Sequence, residues 1–439
     1  MKIGFVSLGC AKNLTDAETM AGILASEGHE ICSDVGEAEV VIVNTCGFID
    51  SAKEESIGAI LEMAQLKEQN CKLLIVTGCL AQRYSGEFLE NFPEVDAVVG
   101  TGSYTEIAEI IKKAQEGKRC VVTGDISAPV VEEERRINTC GAFAYLKIAE
   151  GCDNKCTYCI IPKLRGKYRS REPESIIKEA KRLAKEGVKE LIVIAQDTSR
   201  YGQDLEKKTT LAELLLRLCE TPGIEWVRVL YLYPEMITDE LISVISESKK
   251  IVPYVDMPIQ HCNDAVLKRM GRRTSKEQIL DVIGKLRKNV EKVTIRTSLI
   301  AGFPGETEEQ FDELLEFVRE VRFDRLGAFA YSKEEDTPAA LLSGQIAEEE
   351  KERRAAEIMK VQSEISKEKQ KQKEGKTLRV LTEGYDEENF MYYGRSYSDA
   401  PEVDTLVYFA SEEETKIGTF ADVLILDSDE YDLTGKRLI

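Results

Sequence analysis

Histidine is almost missing from this sequence, which has only His29 and His261 among its 439 residues. Histidine can therefore contribute little to any metal site. Long apolar runs are also missing, because no stretch approaches the roughly 18 residues that a membrane-spanning helix requires. The apolar stretch after Met1 is too short for a signal peptide, and no small-residue cleavage site follows it. We therefore expect a cytoplasmic protein without membrane contact.

Positive charge is scarce as well, since 59 Lys and Arg face 79 Asp and Glu, a net charge of −20. A chain this acidic is repelled by bare phosphate backbones, so neutral or basic partners are favoured over nucleic acid. Hydrophobic residues still make up 43% of the chain, which is enough for packed cores and too much for a disordered protein. At roughly 150 residues per domain, the length indicates about three domains.

Cysteine, in contrast, is abundant, with 12 residues. A reducing compartment argues against disulfides. Ligation of a metal or cluster, catalysis, and packing as buried thiols remain as uses for these side chains.

Residues 1–117 alternate between β-rich apolar runs and helical patterns. Continuous Val, Ile and Leu strands separated by helices are typical of a parallel sheet covered on both faces, so we predict a doubly wound α/β domain. Residues 118–137 have mixed charge, a proline and no helical period, and we interpret them as a linker. The strands of the first domain are predicted at 3–8, 40–44, 73–77 and 97–100.

Residues 138–368 repeat the strand-then-helix pattern six times, which predicts a parallel α/β barrel that is open compared with the eight-stranded form. Within 346–374, charges and helix formers surround a thin apolar stripe, and we expect a solvent-exposed linking helix. Residues 371–439 have short β-rich runs between acidic turns, which predicts a small antiparallel β-barrel. The strands of the central barrel are predicted at 145–150, 191–196, 226–232, 254–259, 293–300 and 325–331.

Three cysteines lie close together in EGCDNKCTYCIIP, at the spacing C-x3-C-x2-C: Cys152, Cys156 and Cys159. A structural zinc site normally needs four ligands, and no further cysteine or histidine lies nearby. Three thiolates therefore favour a 4Fe-4S cluster with one iron left open to a non-protein ligand. The alternative is a group of ordinary buried thiols, which the spacing and the position after a predicted strand both oppose.

This loop, on the first strand of a βα barrel and with Tyr158 before its last cysteine, resembles the radical S-adenosylmethionine enzymes. The resemblance implies that the open iron binds S-adenosylmethionine beside Tyr158. It further implies that an electron donor allows cleavage of the cofactor to a 5′-deoxyadenosyl radical, so that the cofactor carries the difficult chemistry.

The same resemblance implies S-adenosylmethionine contacts in two other segments. AQDTSRYG (195–202), which contains Gln196, matches the segment that holds the methionine amino group. TSLIAGFPGET (297–307) matches a glycine-rich strand segment, although Ser298 stands where its first glycine would be. Gly302 fits either this segment or an ordinary βα turn.

Three more cysteines, Cys10, Cys46 and Cys79, have similar surroundings in IGFVSLGC, VVIVNTC and LLIVTGC. Each comes just after a predicted buried strand. Because the carboxyl ends of parallel strands meet at one edge of a sheet, we expect the three thiols to converge there. We interpret them as ligands of a second 4Fe-4S cluster with an open iron. The alternative is that each is a small buried hydrophobe.

Two three-cysteine sets, one in an α/β domain and one in a radical barrel, followed by a small β-barrel, resemble the methylthiotransferases over the whole chain. The resemblance implies that the N-terminal cluster holds the sulfur that is inserted and that the last barrel is a TRAM domain. It implies two S-adenosylmethionine molecules, one as methyl donor and one as radical source, and a sulfur source. The edge of the first sheet must then face the mouth of the central barrel.

The remaining cysteines are interpreted as structural thiols. Cys140 and Cys262 are the two that lie near barrel segments able to approach a cluster, and His261 is interpreted as a buried polar contact at a strand end. The full set is Cys32, Cys71, Cys120, Cys140, Cys219 and Cys262.

Four segments resemble the RimO-type branch of the family, which acts on an aspartate β-carbon of a small-subunit ribosomal protein. The alternatives are the branch that modifies tRNA adenosine and, outside the enzymes, a non-catalytic metal-binding scaffold. We expect a monomer. The four segments are SLGCAKNLTDAE (7–18), NTCGFIDSAKEES (44–56), YLYPE (231–235) and DMPIQHCNDAVLKRM (256–270).

The charge of the C-terminal domain favours a protein substrate over tRNA. Residues 376–439 contain six Lys or Arg against fifteen Asp or Glu. A module that binds tRNA should be basic, whereas an acidic module attracts a basic protein such as a ribosomal protein. Four aromatic side chains of this domain favour an RNA substrate only if they stack on bases instead of packing within the barrel. They are Phe390, Tyr392, Tyr393 and Tyr397.

Overall fold

The N-terminal part of the chain forms a six-stranded parallel sheet with helices on both faces, in a computed structural model that describes residues 1–130, 135 and 141–438. Its elements are β1 (Lys2–Ser7), α1 (Ala11–Ser26), β2 (Glu30–Cys32), β3 (Val40–Thr45), α2 (Asp50–Ala64), β4 (Leu73–Gly78), α3 (Cys79–Arg83), α4 (Phe88–Asn91), β5 (Ala97–Gly102), α5 (Ile107–Gln115) and β6 (Cys120–Gly124). In the strand order β2-β1-β3-β4-β5-β6, β2 is added on one side of β1, and β3 and all later strands are added on the other side. Open α/β sheets bind ligands at such a switch point.

The four predicted strands of this domain are present within two residues of their expected bounds, whereas β2 and β6 are absent from the prediction. Strand β6 lies inside the segment interpreted as a linker, 118–137, and pairs in parallel with β5. Both missed strands are short and lie at the edges of the sheet, with side chains that are half-exposed or exposed. They therefore lack the continuous apolar run that marks a buried parallel strand.

Helix α1 is buried on two sides. Its residues Ala17, Met20 and Leu24 pack on the sheet of their own domain. Lys12 and Asp16 are also buried, although both are charged. Side chains on this second face contact the central domain, so α1 forms the middle layer of an interface between two domains.

The central part of the chain forms a second six-stranded parallel sheet, which does not close. Its elements are β7 (Phe143–Lys147), β8 (Ala149–Glu150), α6 (Ile161–Arg165), β9 (Arg169–Ser170), α7 (Pro173–Lys185), β10 (Glu190–Ile194), α8 (Leu211–Cys219), β11 (Trp226–Val229), α9 (Asp239–Glu247), β12 (Ile251–Asp256), α10 (Asp264–Arg269), α11 (Lys276–Asn289), β13 (Thr294–Ala301), α12 (Glu308–Val321) and β14 (Arg325–Ala330). The order β7-β10-β11-β12-β13-β14 confirms the predicted open array of six βα units, with β8 and β9 as a separate antiparallel ribbon.

Side chains of the central sheet alternate between two environments. On the outer face, residues such as Leu191 and Val193 pack against the helices in one continuous core. The inner face carries charged residues that are almost fully buried, among them Lys147, Glu190 and Arg228. Buried charges require partners, and here the partners come from the two flanking domains.

Helix α13 (Glu348–Lys371) joins the central domain to the C-terminal domain. The prediction of a solvent-exposed linker is wrong for this helix, because Ile358, Val361 and Ile365 are buried in the outer core of the central sheet. The apolar stripe is thin because the opposite side of the helix carries charges. No helix within the described ranges has the length and apolar character needed to cross a membrane.

The C-terminal residues form a closed five-stranded barrel of β15 (Thr377–Asp386), β16 (Met391–Arg395), β17 (Val407–Ala410), β18 (Phe420–Ser428) and β19 (Leu433–Arg437). The predicted small barrel is confirmed, with one difference: β17 and β19 pair in parallel, while the other four pairs are antiparallel. The β-rich runs of this segment are TLRVL, FMYYGRS, TLVYF and ADVLILD, and strand β19 lies outside them because Leu433 is its only large apolar residue.

A buried ion-pair network holds this barrel against the inner face of the central sheet. Arg395 donates to Glu190 at 2.7 Å, and Arg228 donates to the same carboxylate at 2.7 Å. Arg395 also donates to Glu383 within its own barrel. The side chains of Arg395, Glu190 and Arg228 are at most 1% exposed. The network therefore pairs charges that would otherwise be isolated in the interior.

We expect Arg395→Ala to destabilise this contact by about 3–5 kcal/mol, because it leaves the largely buried Glu383 without a cation and leaves Glu190 with Arg228 alone. Trp226, the only tryptophan, packs edge-on against Phe420 at the same interface, so its fluorescence during urea unfolding reports on docking. The control is Lys416→Ala, which removes an exposed cation from the same barrel and should change the free energy of unfolding by no more than about 0.5 kcal/mol. Equal unfolding midpoints for the two variants would contradict this role of Arg395.

Candidate metal centres

The structure brings Cys10, Cys46 and Cys79 together at the carboxyl edge of the N-terminal sheet. Cys10 precedes α1, Cys46 follows β3, and Cys79 follows β4 as the first residue of α3. Cys46 and Cys79 are buried, whereas Cys10 is exposed. Burial, followed by the neighbouring Cys79 and Cys10 thiols, raises the pKa of Cys46 to about 12. The three side chains are thus close enough to influence one another.

Glycines beside these cysteines let the strand ends approach closely. Gly9 has a φ of +86°, and a Cβ at this position would lie 2.7 Å from Cys46 Cβ. Gly78 has a φ of +95°, and its Cβ would lie 2.4 Å from the carbonyl oxygen of Thr45. A Cβ at Gly47 would lie 2.8 Å from a backbone nitrogen of α3. Only glycine permits this packing, so the geometry of the set depends on these residues.

The second set lies in the loop between β8 and α6. Cys152 and Cys156 are buried, and Cys159 is half-buried. The Cys152 N–H donates to the Gly166 carbonyl at 3.1 Å, and the Cys159 N–H donates to the Cys156 carbonyl at 3.2 Å. The Thr157 N–H donates to a carbonyl after α10 at 2.9 Å. The loop is therefore held at its start, middle and end.

Two polar side chains that sequence reasoning missed lie beside these sulfurs. Asn154 Nδ2 is 3.5 Å from Cys152 Sγ and donates to Asp197 at 2.7 Å. The Tyr233 hydroxyl is 3.8 Å from Cys156 Sγ. Asn154 lies inside the cysteine motif, and Asp197 and Tyr233 lie inside two segments quoted above, 195–202 and 231–235. None of the three carries a spacing signal of its own, because Asp197 and Tyr233 come from the ends of other barrel strands.

Each cysteine set offers three thiol ligands, one fewer than the four protein ligands of a usual structural zinc site. Among the described residues, no three Cys, His, Asp or Glu side chains form a group that could hold a single metal ion. A tetrahedral zinc ion would draw its thiolates within about 4 Å of one another, because each Zn–S bond is about 2.3 Å. A cube of four irons and four sulfides is larger and holds three thiolates further apart.

Burial keeps the loop thiols Cys152 and Cys159 neutral in the absence of a bound metal centre. Burial raises the pKa of Cys152 to about 11 and raises the pKa of Cys159 above its ordinary range. Buried thiols of this kind become thiolates when a positive metal centre compensates their charge. Each set thus offers three thiols that could hold a 4Fe-4S cluster.

The two sets face each other across the interface between the N-terminal and central domains. Cys79 packs in one small apolar cluster with Phe48 from its own domain and with Ile160 and Leu164 from the central domain. Ile160 directly follows Cys159. The edge of the N-terminal sheet therefore meets the mouth of the central barrel, as predicted.

A buried group of four charges, here called the interdomain charge cluster, crosses the same interface: Asp16, Lys147, Glu150 and Arg165. Asp16, from α1, accepts from Arg165 at 2.5 Å and from Lys147 at 2.6 Å. Lys147 also donates to Glu150 at 2.8 Å. All four side chains are less than a tenth exposed. Two cations and two anions balance, which allows the group to remain charged inside the protein.

Two of the residues implied in S-adenosylmethionine binding lie beside the cysteine loop. Tyr158 packs against a cluster that contains Phe303 and Met270. Gln196, just beyond β10, donates to Glu150 of the interdomain charge cluster.

The other two lie on β13 and in the turn that follows it. Ser298 is half-buried and pairs with Gly327 of β14. Gly302 has a φ of +73°, its N–H donates to Glu306 at 3.1 Å, and a Cβ would lie 2.5 Å from the Lys351 side chain. The close approach of α13 thus accounts for glycine at position 302.

The remaining candidates have packing partners. The eleven cysteines in the described part of the chain are free thiols, and Cys140 lies outside that part. Cys262 is buried in the outer core of the central sheet. His261 Nδ1 accepts from the Asn263 N–H at 2.9 Å, and its Nε2 lies 3.5 Å from Glu306 Oε2. His261 is thus a buried polar contact that supports the turn after β13.

Comparison with family models divides the chain into three matches. Residues 2–100 match the uncharacterized protein family UPF0004, residues 146–318 match the radical SAM superfamily, and residues 375–438 match the TRAM domain.

Curated relatives match over the full length. A protein of Clostridioides difficile is 54% identical over 100% of this chain and 99% of its own length. A protein of Acetivibrio thermocellus is 50% identical over 99% of this chain and 98% of its own length. Both carry the name ribosomal protein uS12 methylthiotransferase RimO.

Solved structures support the fold. The radical S-adenosylmethionine methyltransferase TsrM from Kitasatospora setae, solved with cobalamin and a [4Fe-4S] cluster, matches with a TM-score of 0.57 at 13% identity over 77% of each chain. The cobalamin-dependent S-adenosylmethionine radical enzyme OxsB matches with a TM-score of 0.52 at 15% identity, over 82% of this chain and 56% of its own. At these identities the likeness concerns the fold alone.

In a chain whose loop cysteines are replaced by alanine, we expect Gly9→Ala to abolish most of the iron bound after anaerobic reconstitution. The added Cβ would displace Cys46 and so disturb the set that contains it. Gly28→Ala is the matched control, since Gly28 has a φ of +85° and no atom within 4 Å of an added Cβ. It carries a similar backbone strain of about 1 kcal/mol without the contact. Equal iron per chain in the two variants would contradict a role for Cys46 as a ligand.

Proposed function

The chain belongs to the RimO family of radical S-adenosylmethionine methylthiotransferases, and from this premise we propose that it attaches a methylthio group to ribosomal protein uS12. The acceptor is the β-carbon of an aspartate. The reaction uses two S-adenosylmethionine molecules, one as methyl donor and one as radical source, and two 4Fe-4S clusters. The ligands of the first cluster are Cys10, Cys46 and Cys79, and those of the second are Cys152, Cys156 and Cys159.

One observation carries this proposal: two three-cysteine sets from different domains face each other across a shared interface. Insertion of sulfur at a carbon requires that the radical, the sulfur and the substrate carbon meet in one place. The contact of Cys79 with Ile160 brings the two sets to opposite sides of one small apolar region. A single electron-transfer cluster or a metal-binding scaffold would not need this arrangement.

When bound, the two clusters and S-adenosylmethionine supply the radical, the methyl group and the sulfur. The chain holds and orients these groups. Asn154 links the Cys152 sulfur to Asp197, which restrains the cysteine loop. Phe48 and Ile160 pack together with Cys79 in the small apolar cluster between the two sets. Tyr158, Gln196, Ser298 and Gly302 are the proposed S-adenosylmethionine contacts.

The surface of the C-terminal barrel supports a basic protein as substrate. This domain has the excess of acidic residues described above, and it also carries half of the exposed large apolar side chains in the described ranges. Exposed apolar side chains among charges are typical of protein interaction sites, and negative charge steers a basic partner toward the surface. The barrel is accordingly proposed as the contact for uS12.

Three of the four aromatic residues that could favour tRNA pack within the protein, among them Tyr393, whose ring centroid lies 6.2 Å from that of Tyr408. Tyr392 stacks on Phe409 with ring centroids 5.8 Å apart, and Tyr397 packs against the inner face of the central sheet. Phe390 is the exception, since it is 76% exposed. Tyr385 and Tyr431 of the same barrel are also exposed, but all three rings lie on a domain with an excess of acidic residues, so the protein substrate remains the preferred proposal.

Replacing all three loop cysteines, Cys152, Cys156 and Cys159, with alanine should abolish formation of 5′-deoxyadenosine, because thiolates supply all protein ligation to that cluster. Replacing Cys10, Cys46 and Cys79 should spare 5′-deoxyadenosine and stop sulfur insertion. Both products are measured by chromatography and mass spectrometry of anaerobic reactions. The two triple variants are controls for each other, and each should retain about half of the wild-type iron. Methylthiolated product at normal yield from the second variant would show that those thiols serve only in core packing.

The substrate is tested in a strain that lacks this protein. Mass spectrometry should show uS12 without its methylthio group and tRNA unchanged, and wild-type protein should restore the modification.

A variant with Glu412, Glu413 and Glu414 reversed to lysine should fold normally, because exposed charges contribute little stability. It should bind purified uS12 more weakly than wild type at low salt and lose this difference at moderate salt. Loss of a tRNA modification with uS12 unaffected would overturn the proposed substrate.

A further inference from the structure

We propose that Arg165 of the central domain is a positioning residue for the N-terminal cluster, and that it sets the reduction potential of that cluster through Cys79. The inference rests on the proposed function, since it takes Cys79 as a cluster ligand. Arg165 lies on α6, six residues after Cys159, so the helix that follows one cysteine set reaches the other set.

The geometry singles out this side chain. Arg165 Nη2 lies 3.5 Å from Cys79 Sγ and donates to Asn13 Oδ1 at 2.5 Å. Its Nη1 donates to Asp16 at 2.5 Å. Arg165 as a whole residue is 3% exposed. Both terminal nitrogens of its guanidinium are therefore fixed in the interface. Asn13 and Asp16 lie on α1, which means that two partners from the N-terminal domain hold the donor in place.

The hydrogen bonds around Cys79 change with its ionisation. As a thiol, Cys79 can donate to Asn13 Oδ1, which lies 3.7 Å from its sulfur. As a thiolate ligand it has no proton to donate and can only accept. Arg165 Nη2 is then the donor within reach.

The charge balance of the interface makes Arg165 available to the cluster. Within the interdomain charge cluster, Lys147 contacts both Asp16 and Glu150. Those two carboxylates therefore have a second cation, and Arg165 can share its charge with the sulfur. Net charge and hydrogen bonds to the sulfurs set the potential of an iron-sulfur cluster. A cation beside a ligand sulfur stabilises the more negative, reduced state and raises that potential.

The test uses the full chain with Cys152, Cys156 and Cys159 replaced by alanine and reconstituted anaerobically, so that only the N-terminal cluster is present. Its midpoint potential is measured by titration with titanium(III) citrate, followed by electron paramagnetic resonance. Arg165→Gln in this parent should shift the reduction equilibrium at least about tenfold toward the oxidised state, which is about 59 mV for one electron. Arg165→Lys keeps the charge but loses the planar fork, and its potential should lie between those of the parent and Arg165→Gln.

Lys163→Gln is the matched control, because Lys163 lies on the same helix, carries the same charge and is exposed, with its nearest carboxylate, Asp336, at 3.5 Å. It should leave the potential unchanged. Far-ultraviolet circular dichroism and Trp226 fluorescence confirm folding of every variant. Loss of iron confined to Arg165→Gln would also support the positioning role.

Two negative results have different meanings. Equal potentials for Arg165→Gln and Lys163→Gln, with the cluster loaded in both, would overturn this inference and leave the proposed function intact. A correctly folded parent that binds no iron would overturn the N-terminal cluster itself, and the inference with it.

Discussion

The contact on which the rest of this structure depends is the burial of a neutral group of four charges between two domains. Asp16 from α1 is enclosed by Lys147, Glu150 and Arg165 of the central domain. Removing any one of the four would leave an uncompensated charge in the interior, at a cost of about 3–5 kcal/mol. Because an apolar interface of similar area could slide, the directional pairing of these charges, together with the buried Arg83–Glu334 pair at the same interface, fixes the two cysteine sets relative to each other.

The inner face of the central sheet uses the same principle at two places. Lys147, on β7, pairs with the N-terminal domain, while Glu190 and Arg228, on β10 and β11, pair with Arg395 of the C-terminal barrel. The outer face of the sheet packs against its own helices in a continuous apolar core. The sheet therefore separates its functions by face: helices cover one side, and the other side binds both neighbouring domains through buried ion pairs.

The parts of this architecture that repeat along the chain were predictable, and the parts that join distant residues were not. The buried strands and the six cysteines follow from local apolar runs and from motif spacing. Strands β2, β6 and β19 were not predictable, because short edge strands with few apolar residues resemble loops. Arg165 and Asp16 carry no signal either, since a charged residue on a helix normally faces solvent. Their burial becomes visible only when two domains are placed together.

Helix α1, buried on both sides, limits how such a protein can be assembled from modules in evolution. An N-terminal domain taken from another enzyme would bring an α1 suited to its own sheet, but its outward residues would meet Lys147 and Arg165 without matching carboxylates. Recombination at the natural boundary between the domains would therefore yield a chain with orphaned charges unless α1 and α6 were exchanged together. The unit of inheritance is consequently the pair of domains, even though each has the form of an independent fold.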